Sequence, residues 1–507
     1  MLDLAQKVGR MMMVGFAGLR PPPHILDWLA SGRIGGVYLF ARNVQSPAQV
    51  QQLVAECRAA APFPVLVGID QEGGIVARLR DGFSEGPGNM ALGATQDTQL
   101  AEAVAAMLGR ELAALGINWN FAPVADIAHQ RDNPSVGARS VGRDSELVSD
   151  MVAAQVRGFQ RSGVAATVKH FPGLGNTIID THAGLARVRG SLDYLYAEDL
   201  LPFQRAVAAG VACVMLTHVI YDELDADCPA TMSRRIVSDL LRDELGFRGA
   251  VSTDCMEMKA ITDQIGAGES AVRCVLAGVD LPLFSHTRAR QEAAYAAVLA
   301  AAQSGRITEA RIDESLARIE SMKQQYPLDA APALDVVDCQ AHRALAKRAA
   351  RAGLTLLKAG AALSSLGESR VAALEFAAER LSDAVEARPQ RIFSNYLARR
   401  FPKIDCHALD PTDDARLADS LFDSDTIILL TRSAHLQPAQ LQRAQAIVRR
   451  AKRVILVCAR DPYDAGALAD ADTIICTNGD SRPSLVAAVD ALCGDFRPRG
   501  QLTVDAT

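Results

Sequence analysis

ATVKHFPGLGNTIIDTH, residues 166–182, sets the frame for the whole chain. It opens as a short run, Ala166–Phe171, whose last residues include Lys169 and His170, and then breaks into Pro172, Gly173 and Gly175. Those three favour a loop. A continuous apolar run closed by polar side chains fits a strand of a parallel sheet that helices cover on both faces. Seven other runs share this character: Met11–Phe16, Gly36–Phe40, Val65–Asp70, Ile117–Pro123, Cys213–His218, Ala250–Asp254 and Val279–Phe284. Segments of helical period separate them, among them Pro47–Ala60, Leu100–Leu115, Asp144–Ser162, Glu198–Ala208, Ser233–Leu245 and Glu269–Ala277. Eight β/α units within about 290 residues predict a TIM (β/α)8-type barrel, with the site at the C-terminal ends of the strands. Asp70, Asp126, Lys169–His170, Thr217–His218 and Asp254 all stand at or just past such ends.

Helical period continues over Glu309–Gln325 and gives way to PLDAAPALDVVDC, rich in Pro, Ala and Asp. Apolar runs then resume at Leu354–Leu357, Val371–Phe376, Thr426–Leu430, Val454–Cys458 and Thr473–Cys476. The expected organisation is therefore an α/β chain: a barrel domain over 1–326, a linker over 327–342 and a smaller α/β sandwich domain over 343–507.

The 507 residues carry a formal net charge of −6, which argues against a nucleic-acid binder, since such proteins present a basic face. MLDLAQKVGRMMMVGF reads as an amphipathic helix entering a buried strand, because its apolar run is short and no small-residue cleavage site follows. No run of about eighteen apolar residues predicts a membrane span. Ten cysteines lie without a C-x-x-C pair, so a reduced, cytoplasmic setting is expected. The nine histidines lack zinc-site spacing, and no metal or cofactor is expected. Gly173-Leu-Gly175 lacks the third glycine of a dinucleotide fingerprint.

Asp180 and His182 lie two apart, a spacing that in an extended loop lets a carboxylate orient an imidazole and favour its protonated form. Such a histidine can protonate a leaving oxygen near neutral pH. Asp254, at a strand end, can attack an anomeric carbon or equally cap the following helix. Asp70 can hold sugar hydroxyls or pair with Lys169 in the barrel mouth; Arg139 can donate to a substrate or brace its loop.

GIDQEGG (68–74), NFAPVADI (120–127), NPSVGARSVG (133–142), KHFPG…DTH (169–182), PATMS (229–233) and STDCMEM (252–258) together resemble glycoside hydrolase family 3, in particular its bacterial β-N-acetylglucosaminidase branch associated with peptidoglycan recycling. The resemblance implies a retaining exo-acting enzyme on a carbohydrate substrate. It implies that Asp254 forms a covalent glycosyl-enzyme and that His182, supported by Asp180, is the acid/base. It also implies that Asp70, Arg139, Lys169 and His170 hold the terminal N-acetylglucosamine, whether the substrate is a peptidoglycan fragment or a chito-oligosaccharide. Two positions depart from the family's pattern: Leu174 where a histidine is common, and Cys255 where a second acid is frequent. Other readings use the same residues: a phosphorylase, in which phosphate replaces water beside a neutral base, a broad β-glucosidase, or a silent carbohydrate binder.

Overall fold

The computed structural model describes residues 2–178, 184–262, 265–327, 332–360, 370–379, 381–382, 385, 391–410 and 419–506. All eight expected strands form: β1 (Met13–Gly15), β2 (Gly36–Leu39), β3 (Leu66–Ile69), β4 (Trp119–Asn120), β5 (Ala165–Phe171), β6 (Cys213–Leu216), β7 (Ala250–Cys255) and β8 (Leu281–Phe284). Each pairs in parallel with its sequence neighbours, and β8 pairs with β1, closing the barrel.

The helices between them begin where the sequence supplies acceptors for the free N–H groups of a first turn. Ser46 caps Pro47–Ala60, Asp97 caps Thr98–Ala114 and Asp144 caps Ser145–Arg161. The segment expected as an ordinary helix over Ser233–Leu245 is instead wound wider, with i→i+5 bonds, over Arg235–Glu244. Trp119, Phe121, Phe171 and Phe284 are fully buried in the core. Gly68 leaves room for one of them: a Cβ there would come within 2.8 Å of the Phe121 ring.

The second unit carries β9 (Thr355–Lys358), β10 (Val371–Phe376), β11 (Asp405–Leu409), β12 (Thr426–Arg432), β13 (Val454–Ala459) and β14 (Thr473–Cys476). Their spatial order is β9-β14-β13-β12-β10-β11, parallel except for the antiparallel pair β9–β14. Apolar clusters on the two sheet faces bury helices Ile392–Arg400 and Arg482–Leu492 on one side and Pro438–Arg450 on the other, giving a layered α/β sandwich. The sequence reading missed β11. It is an edge strand, DCHAL, mostly solvent-facing, and so lacks the apolar run by which a buried strand is recognised.

Helix Gln340–Gly353 leads into the sandwich and is tied to the barrel by His342, whose Nδ1 lies 2.7 Å from Glu111 Oε1. Met90, Ala128 and Ala138 of the barrel pack with Tyr463 and Val504 of the sandwich in one small apolar cluster. All ten cysteines are free thiols. Among the described residues, no helix is long and apolar enough to cross a membrane.

Candidate active site

β3 delivers Asp70 to the C-terminal mouth of the barrel, and the short strand Gln71–Gly73 continues past it. Side chains two apart on extended backbone share a face, which brings Glu72 alongside Asp70. From β5, Lys169 reaches both: its Nζ is 2.7 Å from Asp70 Oδ1 and 2.7 Å from Glu72 Oε1. Arg78 NH2 donates to Asp70 Oδ2 at 3.0 Å, and the Tyr38 hydroxyl of β2 donates to the same oxygen. Arg139 forks onto Glu72, Nε to Oε2 at 3.0 Å and NH2 to Oε1 at 2.8 Å, while its NH1 donates to the Ser135 carbonyl at 2.7 Å. The arginine therefore braces its own loop and also reaches the mouth. The Asp70–Lys169 pairing and the loop-bracing role, both weighed from sequence, are present together.

His170 is oriented by a carboxylate: its Nδ1 lies 2.6 Å from Asp126 Oδ2. A carboxylate only accepts, so Nδ1 carries the proton and Nε2 turns its lone pair toward Arg139 NH2, 3.4 Å away. The other oxygen of Asp126 accepts from the Leu174 N–H at 2.7 Å and from the His170 N–H at 3.2 Å. One buried aspartate thus fixes the imidazole and the root of the loop that follows β5.

These groups are buried yet charged. Burial alone would raise the Asp70 and Glu72 pKa values, but for Asp70 the cations Lys169 and Arg78, and for Glu72 the cations Arg139 and Lys169, outweigh it and hold both below the usual carboxylate range. Burial would correspondingly lower Lys169 and Arg139, and their carboxylate partners raise both instead. Tyr38 is pushed well above its ordinary value, first by burial and then by Asp70, with Asp254 adding to the effect.

Asp254 stands near the end of β7, half-buried, where its Oδ1 accepts from the Cys255 N–H at 2.7 Å. His218, at the end of β6, is 2.9 Å by Nε2 from the Cys255 carbonyl and 3.1 Å by Nδ1 from Thr231 Oγ1. The carbonyl requires Nε2–H, so the threonine donates to Nδ1, and the backbone beside Asp254 is pinned. Both departures from the family's pattern are buried side chains. Leu174 is buried at the loop root, and burial pushes the Cys255 thiol up to about 12, leaving it protonated.

Asp70, Arg139, Lys169 and His170 therefore meet in one array, and Asp254 shares the strand-end face with them. Asp180 and His182 lie outside the described residues. Sequence reading missed Glu72, Arg78 and Tyr38. Glu72 carried a usable signal, since D-Q-E places two acids on one face of an extended segment. Tyr38 and Arg78 carried none, one being an aromatic inside an apolar run and the other lying beyond a glycine turn.

Residues 3–322 match the model of the glycosyl hydrolase family 3 N-terminal domain. The chain is 33% identical over 449 residues to β-hexosaminidase A of Pseudoalteromonas piscicida, covering 83% of this chain and 74% of that protein. It is 41% identical over 292 residues to a β-hexosaminidase of Stenotrophomonas maltophilia, covering 56% of this chain and 86% of the relative. Among solved structures, a family 3 β-N-acetylglucosaminidase from Paenibacillus sp. str. FPU-7 superposes with a TM-score of 0.94 at 35% identity, over 100% of this chain and 99% of that one.

Proposed function

The chain belongs to glycosyl hydrolase family 3, and from that premise we propose that it is a retaining exo-β-N-acetylglucosaminidase that removes terminal N-acetylglucosamine from peptidoglycan fragments or chito-oligosaccharides. It is a glycoside hydrolase of the β-N-acetylhexosaminidase type. The observation that carries the finer reading is the placing of Asp254 at the end of β7, on the same strand-end face as the buried array of Asp70, Lys169, Arg139 and His170.

In this reading the array holds the hydroxyls and acetamido group of the terminal sugar. His182, kept protonated by Asp180, gives its proton to the glycosidic oxygen while an Asp254 carboxylate oxygen bonds to C1 and the aglycone leaves as an alcohol. His182, now neutral, takes a proton from water; the hydroxide attacks C1, the ester to Asp254 breaks, and the sugar departs with its configuration retained. Two inversions at one carbon account for the retention.

The test is hydrolysis of p-nitrophenyl β-N-acetylglucosaminide, with the product's anomeric form followed by NMR. Asp254→Ala is expected to be inactive. His182→Ala is expected to lose about 10²–10⁴-fold on poor leaving groups but to show a burst of p-nitrophenol, because that leaving group needs no proton. Activity surviving Asp254→Ala sinks the nucleophile assignment, and an α-anomer appearing first sinks the retaining mechanism. Release of sugar 1-phosphate in place of free sugar at high phosphate makes the enzyme a phosphorylase, and equal rates on the β-glucoside make it a broad β-glucosidase.

A further inference from the structure

Where β12 and β13 end, the second domain presents His435, Asp461 and Asp464 to the barrel loop that carries Arg139. Their imidazole and carboxylates are nearly buried, at 3%, 6% and 0% side-chain exposure. His435 Nε2 lies 3.1 Å from the Arg131 carbonyl of that loop, and since a carbonyl only accepts, Nε2 is the donor. Nδ1 faces Asp464 Oδ1 at 3.1 Å and Asp461 Oδ1 at 3.5 Å. Burial lowers the pKa of this histidine, but Asp461 and Asp464 outweigh it and raise it. With the Arg131 carbonyl facing one nitrogen and the Asp464 carboxylate the other, each nitrogen faces an acceptor.

The contact is not confined to one bond. The Tyr463 ring lies 5.8 Å from the Arg131 guanidinium and packs with Ala138, the neighbour of Arg139. Gly137 neighbours Asp461: a Cβ on it would make ordinary contact with Oδ2, at 3.7 Å. Ser433 and Arg460, which flank the cluster, both adopt the left-handed backbone region, at φ 47° and 74°, a conformation that non-glycine residues keep only where the surroundings enforce it. The carboxyl ends of parallel strands are also where open α/β sheets place their working groups.

On the barrel side, Asn133 caps the loop from within, accepting from the Ser135 and Val136 N–H groups at 2.9 Å and donating to the Leu174 carbonyl at 3.0 Å. Asn89 Nδ2 donates to the Arg139 carbonyl at 2.8 Å. The Arg139 guanidinium is bonded back to Ser135, so a shift of the loop carries the guanidinium with it. Among the described residues, the contacts that join His435 to the barrel run through this loop.

We propose that His435 is a positioning residue for the sugar subsite, by which the second domain sets where Arg139 stands. The proposal rests on the reading of Arg139 as a sugar-holding group. A loop displaced by less than an ångström weakens ground state and transition state alike, so the cost falls on KM more than on kcat.

His435→Ala is expected to raise KM for p-nitrophenyl β-N-acetylglucosaminide about tenfold with kcat changed less than about threefold. His435→Gln, whose amide nitrogen reaches the place of Nε2, is expected to return KM to within about twofold of wild type. His435→Asn, which keeps a donor for Asp464 but falls short of Arg131, behaves as the alanine variant does and replaces it should that one fail to fold. Arg400→Ala, which breaks the ion pairs to Asp490 and Asp495 elsewhere in the second domain, is the control: it lowers stability and leaves KM unchanged. An unchanged KM in folded His435→Ala or His435→Asn overturns the proposal, and so does an equal rise in Arg400→Ala. Tryptic cleavage after the exposed Arg131 tests the tether without using activity. Faster cleavage in His435→Ala but not in Arg400→Ala supports it, and unchanged cleavage overturns it. A wild type inert on N-acetylglucosaminides sinks the functional reading and the sugar-subsite role together, while the cleavage result still decides the tether.

Discussion

Glu72→Gln is the sharpest probe of the buried array. The carboxylate accepts three short contacts, two from Arg139 and one from Lys169, between 2.7 and 3.0 Å. At an effective dielectric of about 20, each of the two cations attracts a unit charge about 2.8 Å away by roughly 6 kcal/mol. Against about 12 kcal/mol in total stand the cost of burying the carboxylate, several kcal/mol, and repulsion from Asp70 nearby. Glutamine fits the space, but it has no charge and turns an amide N–H toward one of the Arg139 donors. The net loss expected for removing one member of a buried ionic network is about 3–5 kcal/mol, or roughly 4–7 °C in unfolding temperature for a domain of this size. The assay isolates the barrel, because the chain has two tryptophans and both, Trp28 and Trp119, are buried there. Tryptophan fluorescence on heating therefore reports barrel unfolding. The sign with pH follows from the depressed Glu72 pKa: its stabilisation is complete above the ordinary carboxylate value of about 4.3 and is lost as pH falls through the folded value. The deficit of Glu72→Gln must then shrink below about pH 4. A shift under about 2 °C at pH 7, or one undiminished at pH 3.5, would refute the electrostatic account.

Arg139→Lys keeps the charge and loses the planar fork onto Glu72; KM on an N-acetylglucosaminide is expected to rise about tenfold, with steady-state kinetics as the check. Gly175→Ala places a Cβ 1.8 Å from the Ile127 carbonyl oxygen, forcing the loop root to move. It is expected to cost about 1–3 kcal/mol of barrel stability by tryptophan fluorescence and at least about tenfold in kcat/KM. The raised Lys169 pKa contributes stability that is full below about pH 10.4 and lost as pH rises through its folded value. Wild-type barrel stability should therefore hold level between about pH 5 and 9 and fall on both sides, as read by the same fluorescence at constant ionic strength.

Legibility from sequence followed burial. The barrel strands are apolar because both faces are covered, so each announces itself as a run, even Trp119–Asn120, which retains only two residues of regular pairing. β11 is exposed on the sheet edge and lost that signal. Lys169, Asp70 and Arg139 were visible as polar interruptions at strand ends or inside a glycine-rich motif. Their partners were less so, because a salt-bridged network closes through space, across 99 residues from Asp70 to Lys169 and 67 from Glu72 to Arg139. Nothing in the local pattern around His435 tied it to residue 131, 304 positions away.

That the barrel mouth is lined by so many ions has a physical reason. Asp70 and Glu72 are set against Lys169, Arg78 and Arg139, and Asp126 against His170. Each group is already held by its neighbours, so hydrogen-bonding directions exist before any sugar arrives and little reorganisation is needed on binding. The same mutual compensation keeps the carboxylates ionised despite burial, which suits them to accept from hydroxyls and leaves protonation to a group outside the array. Asp254 fits that division of work. In the proposed mechanism Asp254, whose Oδ1 accepts from the Cys255 N–H, supplies the charge that meets the developing positive carbon at C1.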